Sequence, residues 1–464
     1  MKLKIKNLDW LAGKPVAIIS AATARKINVT VDERILLKTS SNKIYSIIDI
    51  SSDTVKDGQI GLSRELTLSL KKKDNETVEI SNSIETEGSQ LIRKKLSGEK
   101  LSEKELRRII SELVKNNLSE AEIAFFIAAE RTKGMTEDEI YYLTKAMVKE
   151  GKQISFREKI IADKHCIGGI AGNRTTPIVV AICAAAGLTI PKSSSRAITS
   201  AAGTADVIET MAKVDFSLGE IKRMVSKTNG CLVWGGALAL APSDDKIIAI
   251  ERILNLDVEP QLLASIMAKK IAAGSNHILI DIPYGSGKIK NKKQGKLLGK
   301  KFLSLARKFN LKVKYVLTEG KNPIGKGIGP VLEMKDVISI LKNEKNCPKD
   351  LKDKSIYLAA ELMRLCNISS AKKKAKKILE SGKAYEKFKE IINVQNGKDD
   401  FDKRLKNLSE AKFKKTIISN KSGEITNISN NDVNQLCRLL GTPQNPSAGI
   451  YLHTGVGKIK KGEN

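Results

Sequence analysis

The chain has 464 residues and a formal net charge of +29 at pH 7. That length exceeds one ordinary hydrophobic core and predicts two to four domains, and an apolar fraction of 41% is ample for globular folding. Six cysteines lie singly, which argues against a disulfide scaffold, and the longest nearly uncharged stretch, residues 177–191, is shorter than the roughly 20 residues of a membrane span.

The excess of positive charge suggests a nucleic-acid-binding protein as one hypothesis, because clustered Lys and Arg neutralise backbone phosphates. The lysines are spread along the whole chain, however, aromatic residues make up only 4%, and no nucleic-acid-binding motif occurs. We therefore favour a solvated lysine-rich surface whose field attracts anionic substrates, and we expect neither nucleic acid nor a membrane as a partner. The sequence opens without a secretory leader, so a cytoplasmic location is expected.

Residues 1–86 are predicted to form a small N-terminal β domain that resembles a barrel. Short β-branched segments alternate there with Gly, Asp, Asn and Ser, which is typical of strands and turns. The predicted strands are KLKIK, PVAIIS, INVTV, ERILLKT, KIYSIIDI and LTLSL.

Residues 87–153 are predicted to form a helical domain, joined in space by about 240–272. Three capping-box patterns begin at Ser102, Ser119 and Thr136, each with Glu three positions later. Apolar residues then recur at helical spacing.

From residue 154 to residue 398, strands alternate with helices. The strands are KIIAD, LTIPK, CLVWG, HILIDIP and VKYVLTEG. Alternation predicts an α/β domain with a mixed or parallel sheet, whose ligands collect at the carboxyl ends of the strands. Residues 399–464 mix short strands and Gly turns with one helix and are predicted to form a C-terminal α+β domain. The expected fold class is thus multi-domain α/β.

Four loops that follow predicted strands combine glycines with lysine or hydroxyl donors. This composition favours anion binding, because glycine lets backbone N–H groups approach a ligand. The second loop is the richest, since six hydroxyls and one arginine lie within twelve residues. The loops are KHCIGG (164–169), KSSSRAITSAAGT (192–204), PYGSGK (283–288) and TEGKNPIGKGIG (318–329).

Other site chemistries find less support in the sequence. Neither a Walker loop nor a dinucleotide fingerprint occurs, which disfavours ATP and NAD, and we expect no cofactor. Three histidines and scattered cysteines do not make a metal-ligand pattern, so no metal is expected. His165 and Cys166 are neighbours on an extended chain and point to opposite faces, so a thiol nucleophile is disfavoured.

Several long motifs occur in order between roughly residues 90 and 398. They are DKHCIGG, SSSRAITSAAGTADVIE, VWGGALALAPSDD, ILNLDVEPQLLASIMAKKIAAGSNH, IDIPYGSGK and SGKAYEKFKEIINVQNG. Together they resemble the thymidine/pyrimidine-nucleoside phosphorylase superfamily, and within it the archaeal type of AMP phosphorylases. The N-terminal β domain and the loop SSRAITSAAGT fit that branch better than the pyrimidine enzymes. The resemblance implies a pentosyltransferase that cleaves AMP, with CMP and UMP as further candidates, using inorganic phosphate to give ribose 1,5-bisphosphate.

The resemblance also implies the residues of the site. Asp257 takes the place of the proton donor to the departing base, a role that requires a carboxylic acid kept protonated by burial. Lys164 takes the place of the residue that holds the attacking phosphate, and Lys269 is a further candidate for a base or phosphate contact. Relatives are dimers or larger, so a homo-oligomer is expected. The residues implied to line the AMP site are Gly169, Ser195, Arg196, Ala197, Ile198, Thr199, Ser200, Thr204, Ser265 and Lys288.

The sequence departs from the family pattern at three places. Cys166 stands where many relatives have Ser, the loop GSGKIK lets either Lys288 or Lys290 fill one role, and the C-terminal domain is expected to be incomplete or covered by a partner. Three alternative functions stay open. They are a pyrimidine nucleoside phosphorylase, a phosphoribosyltransferase with Asp244 and Asp245 available for Mg²⁺, and a basic nucleic-acid-binding protein.

Overall fold

A computed structural model describes residues 1–40, 42–82, 85–198, 200–253, 256–285 and 287–463. Its strands are β1 Lys2–Asn7, β2 Val16–Ile19, β3 Arg34–Lys38, β4 Lys43–Ile50, β5 Gln59–Leu62, β6 Thr77–Asn82, β7 Ala162–Cys166, β8 Ile190–Ser194, β9 Gly230–Trp234, β10 His277–Tyr284, β11 Lys312–Glu319, β12 Gly327–Ile328, β13 Gly423–Ile425, β14 Ile450–Tyr451 and β15 Gly457–Ile459. Its helices are α1 Ala21–Ile27, α2 Arg64–Leu70, α3 Glu87–Leu96, α4 Glu103–Val114, α5 Glu120–Lys133, α6 Glu137–Glu150, α7 Thr175–Ala185, α8 Thr204–Glu209, α9 Leu218–Thr228, α10 Pro242–Ile253, α11 Glu259–Ala272, α12 Lys292–Lys308, α13 Pro330–Leu341, α14 Lys349–Leu365, α15 Ala371–Glu380, α16 Lys383–Asn396, α17 Phe401–Lys406 and α18 Asn430–Leu439.

The chain divides into two compact units. The first unit contains Met1–Glu150 and Pro242–Leu262, and the second contains Gly151–Ala241 and Leu263–Asn464. The mixed α/β class is confirmed, whereas the four-domain partition of the chain stays a prediction.

Six strands of the first unit close into a barrel in the order β1-β5-β2-β4-β3-β6. Along β3, Ile35 and Leu37 are completely buried while their neighbours are more exposed, which is the alternation expected of a strand with one face inward. The same alternation in β1 buries Leu3 and Ile5. The inward side chains form a separate hydrophobic core inside the barrel.

Two of the predicted strands in this region are wrong. LTLSL belongs to helix α2, in which Leu66 and Leu70 are buried and Leu68 is 68% exposed. Burial of residues four apart is the helical period, and five residues of alternating sequence do not distinguish it from a strand. INVTV also forms no strand, because Asn28 adopts the left-handed conformation (φ 52°) that ends helix α1.

The predicted capping boxes of the helical region are confirmed. Ser102 and Ser119 each accept a hydrogen bond from the backbone N–H of the glutamate three positions later, and that glutamate accepts from the serine N–H. Thr136 and Glu139 exchange the same pair of bonds. Helix α10, which is distant in sequence, packs against α4, α5 and α6 within the same unit.

The second unit is built on parallel strands in the order β11-β10-β7 and β8-β9, with a parallel bridge from Ile161 to Thr189 between the two groups. All five predicted strands are present, with β7 shifted three residues towards the C-terminus. The chain runs from β7 outward through β8 and β9 on one side and continues through β10 and β11 on the other. Ligands of open α/β sheets bind where the strand order reverses in this way, at the carboxyl ends of the strands.

Helix α7 is buried on all sides because α13, α14, α16 and β9 pack around it. This arrangement accounts for its nearly uncharged sequence and gives the second unit its main core. The basic run 371–390 forms α15 and the start of α16, and the lysines of α15 are exposed to solvent. Within the described residues, no helix combines the length and apolar character of a transmembrane segment.

Candidate active site

The four predicted anion loops follow β7, β8, β10 and β11, so each begins at the carboxyl end of a parallel strand of the second unit. The first and third loops touch. Gly169 has φ +91°, and a Cβ added there would lie 3.8 Å from the backbone nitrogen of Lys288. A Cβ on Gly287 would lie 3.5 Å from the carbonyl oxygen of Gly169. The structure therefore brings Gly169 and Lys288 together.

Lys288 is half-buried, whereas Lys290 is exposed and its backbone N–H donates to Gln294. Only Lys288 of these two has its backbone against Gly169. This arrangement favours Lys288 over Lys290 as the lysine of the third loop.

Lys164 is the most deeply buried lysine of the loops, with 1% of its surface exposed. Its Nζ lies 2.8 Å from Thr175 Oγ1 and 3.5 Å from Thr176 Oγ1. Both partners in the described part of the chain are neutral hydroxyls, and burial lowers the pKa of Lys164. A buried ammonium group without a paired carboxylate is expensive, so this position is suited to an anionic ligand.

The residues that follow Lys164 do not form a reactive thiol or metal centre. Burial raises the pKa of Cys166, whose Sγ accepts a hydrogen bond from Asn173 at 3.3 Å. Burial, together with nearby lysines, holds the pKa of His165 well below its usual value, so the imidazole is neutral. Among the described residues no cluster of three or more His, Cys, Asp or Glu side chains is placed to hold a metal ion.

The second loop is fixed by Asp206, whose Oδ2 accepts the backbone N–H groups of Ala197 at 2.7 Å and Gly203 at 2.8 Å. A Cβ at Gly203 would collide with the backbone of Ser195 and Arg196, so the loop closes only with glycine there. Asp206 lies near the start of α8 and thus holds this loop at the N-terminal end of that helix.

The implied nucleotide contacts of the second loop differ in their surroundings. The Arg196 guanidinium lies 2.5 and 2.8 Å from the two carboxylate oxygens of Glu209 and stacks over Trp234. Its planar fork is therefore engaged within the protein. Ser195 is exposed, and four further residues are half-buried. These are Ala197, Ile198, Ser200 and Thr204; Thr199 lies outside the described residues.

The fourth loop is not an open anion site, contrary to the prediction from its glycines. Asp336 Oδ2 accepts the backbone N–H groups of Lys326 at 2.7 Å and Gly327 at 2.8 Å, and Glu333 accepts that of Gly329 at 3.1 Å. These donors are satisfied by the protein's own carboxylates, which replace the ligand that the sequence suggested.

Helix α11 carries Ser265 and Lys269, both half-buried, in the second unit, whereas Asp257 precedes this helix and belongs to the first unit. Asp257 is exposed, and its carbonyl oxygen accepts a hydrogen bond from Arg131 at 3.2 Å. The expectation that Asp257 is a buried acid is therefore wrong for this structure.

Sequence reasoning missed a buried ion cluster beneath the first two loops. Asp163 is completely buried, with Lys270 Nζ at 2.7 Å from Oδ2 and Lys192 Nζ at 3.2 Å from Oδ1. Burial opposes ionisation of Asp163, but the two lysines outweigh it and hold its pKa below the ordinary value. The cluster joins the starts of both loops to α11. Charged residues inside strands that are otherwise apolar were the available signal.

Comparisons with known proteins agree with this architecture. Residues 89–151 match the helical bundle domain of the glycosyl transferase family, and residues 158–385 match its a/b domain. The chain is 39% identical to AMP phosphorylase of Methanococcus vannielii and 41% identical to that of Thermococcus sibiricus, and both matches cover 99% of this chain and 92% of the relative. Anthranilate phosphoribosyltransferase from Thermus thermophilus has a similar fold, with a TM-score of 0.57 and 17% identity over 66% of this chain and 99% of that protein.

Proposed function

Because the chain belongs to the AMP phosphorylase family, we propose that it cleaves AMP with inorganic phosphate. The observation that carries this proposal is an identity of about 40% to AMP phosphorylases that extends over nearly the whole chain. The glycosyl transferase domains agree with a pentosyltransferase reaction.

The reaction exchanges one bond at C1′ of the ribose for another. An oxygen of inorganic phosphate forms a bond to C1′, the bond from C1′ to the base breaks, and its electron pair leaves with adenine, which takes up a proton. The products are adenine and ribose 1,5-bisphosphate. Positive charge on the sugar and negative charge on the base develop together, so a held phosphate and a proton donor both lower the barrier.

Lys164 is proposed to hold the attacking phosphate. Its burial and its neutral hydroxyl partners support the role, because phosphate would supply a negative charge to pair with the ammonium group. Gly169, Lys288 and Thr204 are proposed to contact AMP. The other residues that the resemblance implies as nucleotide contacts are part of the same proposal. They are Ser195, Arg196, Ala197, Ile198, Thr199, Ser200 and Ser265.

Asp257 is proposed as the proton donor. The Asp257 side chain is exposed in this structure, and general acid catalysis at the departing base is the role that the resemblance implies for it.

Free adenine measured by chromatography after incubation with AMP and phosphate tests the proposal. Asp257→Asn should lose at least about a hundredfold in kcat, since general acid catalysis contributes on the order of 10²–10⁴. It should still bind AMP in calorimetry. Asp53→Asn is the matched control, because Asp53 is an exposed aspartate of the same unit. Full turnover by Asp257→Asn would remove this residue from the mechanism.

Other substrates distinguish the alternative functions. Release of thymine or uracil from nucleosides, without adenine from AMP, would identify a pyrimidine nucleoside phosphorylase. A requirement for Mg²⁺ and a ribose diphosphate would identify a phosphoribosyltransferase. Asp244, one of the two acids considered for that metal, is completely buried.

Several further properties stay part of the proposal. They are activity on CMP and UMP, function without a cofactor, a cytoplasmic location and a homodimeric or larger assembly. The four-domain partition, with a β domain at residues 1–86 and an α+β domain at 399–464, belongs here as well.

A further inference from the structure

Arg174 connects the start of helix α7 to the second loop. It lies directly before helix α7, and its side chain is 10% exposed. One terminal nitrogen donates to Thr204 Oγ1 at 2.7 Å, and the other donates to the carbonyl oxygen of Ala202 at 2.9 Å. Ser200 Oγ donates to the same carbonyl oxygen at 2.9 Å. A single guanidinium group thus fixes the end of the loop that carries the implied nucleotide contacts Ser200 and Thr204.

Glu333 holds this guanidinium from the opposite side. Nε and a terminal nitrogen of Arg174 both lie 2.6 Å from Glu333 Oε2, and the Glu333 side chain is 1% exposed. Glu333 Oε1 accepts the backbone N–H of Gly329 at 3.1 Å, so the carboxylate is anchored at the start of α13. Arg174 therefore has a charge partner that is itself fixed, and its planar fork is held in one orientation.

The bond between Arg174 and Thr204 has a defined direction. A guanidinium group has only donors, so the Thr204 hydroxyl oxygen must accept. The hydroxyl proton of Thr204 is then free to donate elsewhere. Thr204 is half-buried and is the first residue of helix α8, so part of its surface stays accessible to a ligand.

We propose that Arg174, held by Glu333, is a positioning residue for phosphorolysis that presents the Thr204 hydroxyl as a hydrogen-bond donor to bound AMP. The inference rests on the proposed function of this site. Lysine at position 174 keeps the charge but has one nitrogen, and it therefore cannot reach Glu333, Thr204 and Ala202 together.

Steady-state kinetics of Arg174→Lys, Thr204→Val and the double variant test the proposal. Each single variant should raise KM for AMP about tenfold, the cost of one lost hydrogen bond to a charged or polar partner. KM for phosphate should change by less than about twofold. The double variant should also show about tenfold, because Arg174 acts through the hydroxyl that Thr204→Val removes. Independent effects would multiply to about a hundredfold and would overturn the proposal.

Two further variants keep the test decisive if Arg174→Lys does not fold. Thr204→Ser retains the hydroxyl and should restore KM for AMP to within about twofold of wild type. Glu333→Gln retains the shape of the side chain but weakens its hold on Arg174, and it should raise KM for AMP in the same direction as Arg174→Lys. An unchanged KM in Glu333→Gln or Arg174→Lys, with only a lower melting temperature, would show a purely structural role. Absence of AMP cleavage by the wild-type protein would instead reject the proposed function.

Discussion

Replacement of Asp163 by Asn tests the buried ion cluster beneath the first two loops. Asp163 is shared by Lys270 at 2.7 Å and Lys192 at 3.2 Å, and Ser275 Oγ lies 3.4 Å away. The carboxylate is completely buried, and 5% or less of each lysine side chain is exposed. The substitution is nearly isosteric, so it removes charge without opening a cavity.

The expected loss is about 3–5 kcal/mol in the free energy of unfolding of the second unit, the usual cost of removing one partner from a buried ion pair. Because the folded pKa of Asp163 is lowered, its contribution is present above the unfolded pKa of about 4 and is lost as pH falls through the folded pKa. A measurement at pH 6 is made above the unfolded pKa of Asp163, where its contribution is present, and below the pKa of Lys270, about 7, so that Lys270 is charged.

Denaturant unfolding followed by the fluorescence of Trp234 measures this loss. The chain has two tryptophans, and Trp10→Phe removes the signal of the first unit. Lys270→Met is the matched partner variant, because it leaves Asp163 paired with Lys192. Asp163→Asn with Lys270→Met should be no less stable than Asp163→Asn alone, since one unpaired ammonium group has been removed. A loss under about 1 kcal/mol in Asp163→Asn, or simple additivity in the double variant, would refute the reasoning.

Two remaining predictions concern Lys270 and the half-buried Lys246. Burial lowers the pKa of Lys270 to about 7, whereas an unfolded lysine titrates near 10.4, so the unfolded chain binds more protons than the folded chain between these pH values. The free energy of unfolding of wild type relative to that of Lys270→Met should therefore rise from pH 7 to pH 10, as measured by denaturant unfolding. Lys246 donates hydrogen bonds to the carbonyl oxygens of Leu113 at 2.8 Å and Val114 at 2.9 Å, which lie at the C-terminus of α4. Lys246→Met should lower the free energy of unfolding of the first unit by about 1–2 kcal/mol, as measured by Trp10 fluorescence. Lys246→Arg should stay closer to wild type.

The helix starts of the first unit were predicted correctly because they depend on local interactions. The capping boxes at Ser102, Ser119 and Thr136 involve residues three positions apart, so their pattern carries its own physical cause. Barrel strands β5 and β6 were not predicted. β5 has only four residues, which are too few to show an alternating pattern, whereas β6 buries Val78 and Ile80 in the same alternation as β1 and was missed. The distance to a pairing partner does not explain the difference, since the predicted strand β1 pairs with both β5 and β6.

The candidate site shows the same limit. The composition of the loops predicted donors for an anion, and the first three loops lie at the carboxyl ends of neighbouring strands. The loop composition did not predict that Asp336 accepts hydrogen bonds from the backbone N–H groups of the fourth loop, or that Glu209 accepts hydrogen bonds from Arg196. In the fourth loop the carboxylate follows its donors by nine or ten residues and returns on the next helix, so its contact depends on tertiary packing.

The net charge of +29 alone therefore does not locate the site. An exposed lysine, such as those on α15, is solvated at little cost and needs no partner. A buried lysine costs free energy unless an anion compensates it, and Lys192 and Lys270 have Asp163 for this purpose. Lys164 has only hydroxyl groups as hydrogen-bond partners among the described residues and forms no ion pair with them, although the nearby charge of Asp281 acts to raise its pKa. Burial of an ammonium group that no described carboxylate pairs directly, rather than the number of lysines, therefore supports the proposal that phosphate binds at Lys164.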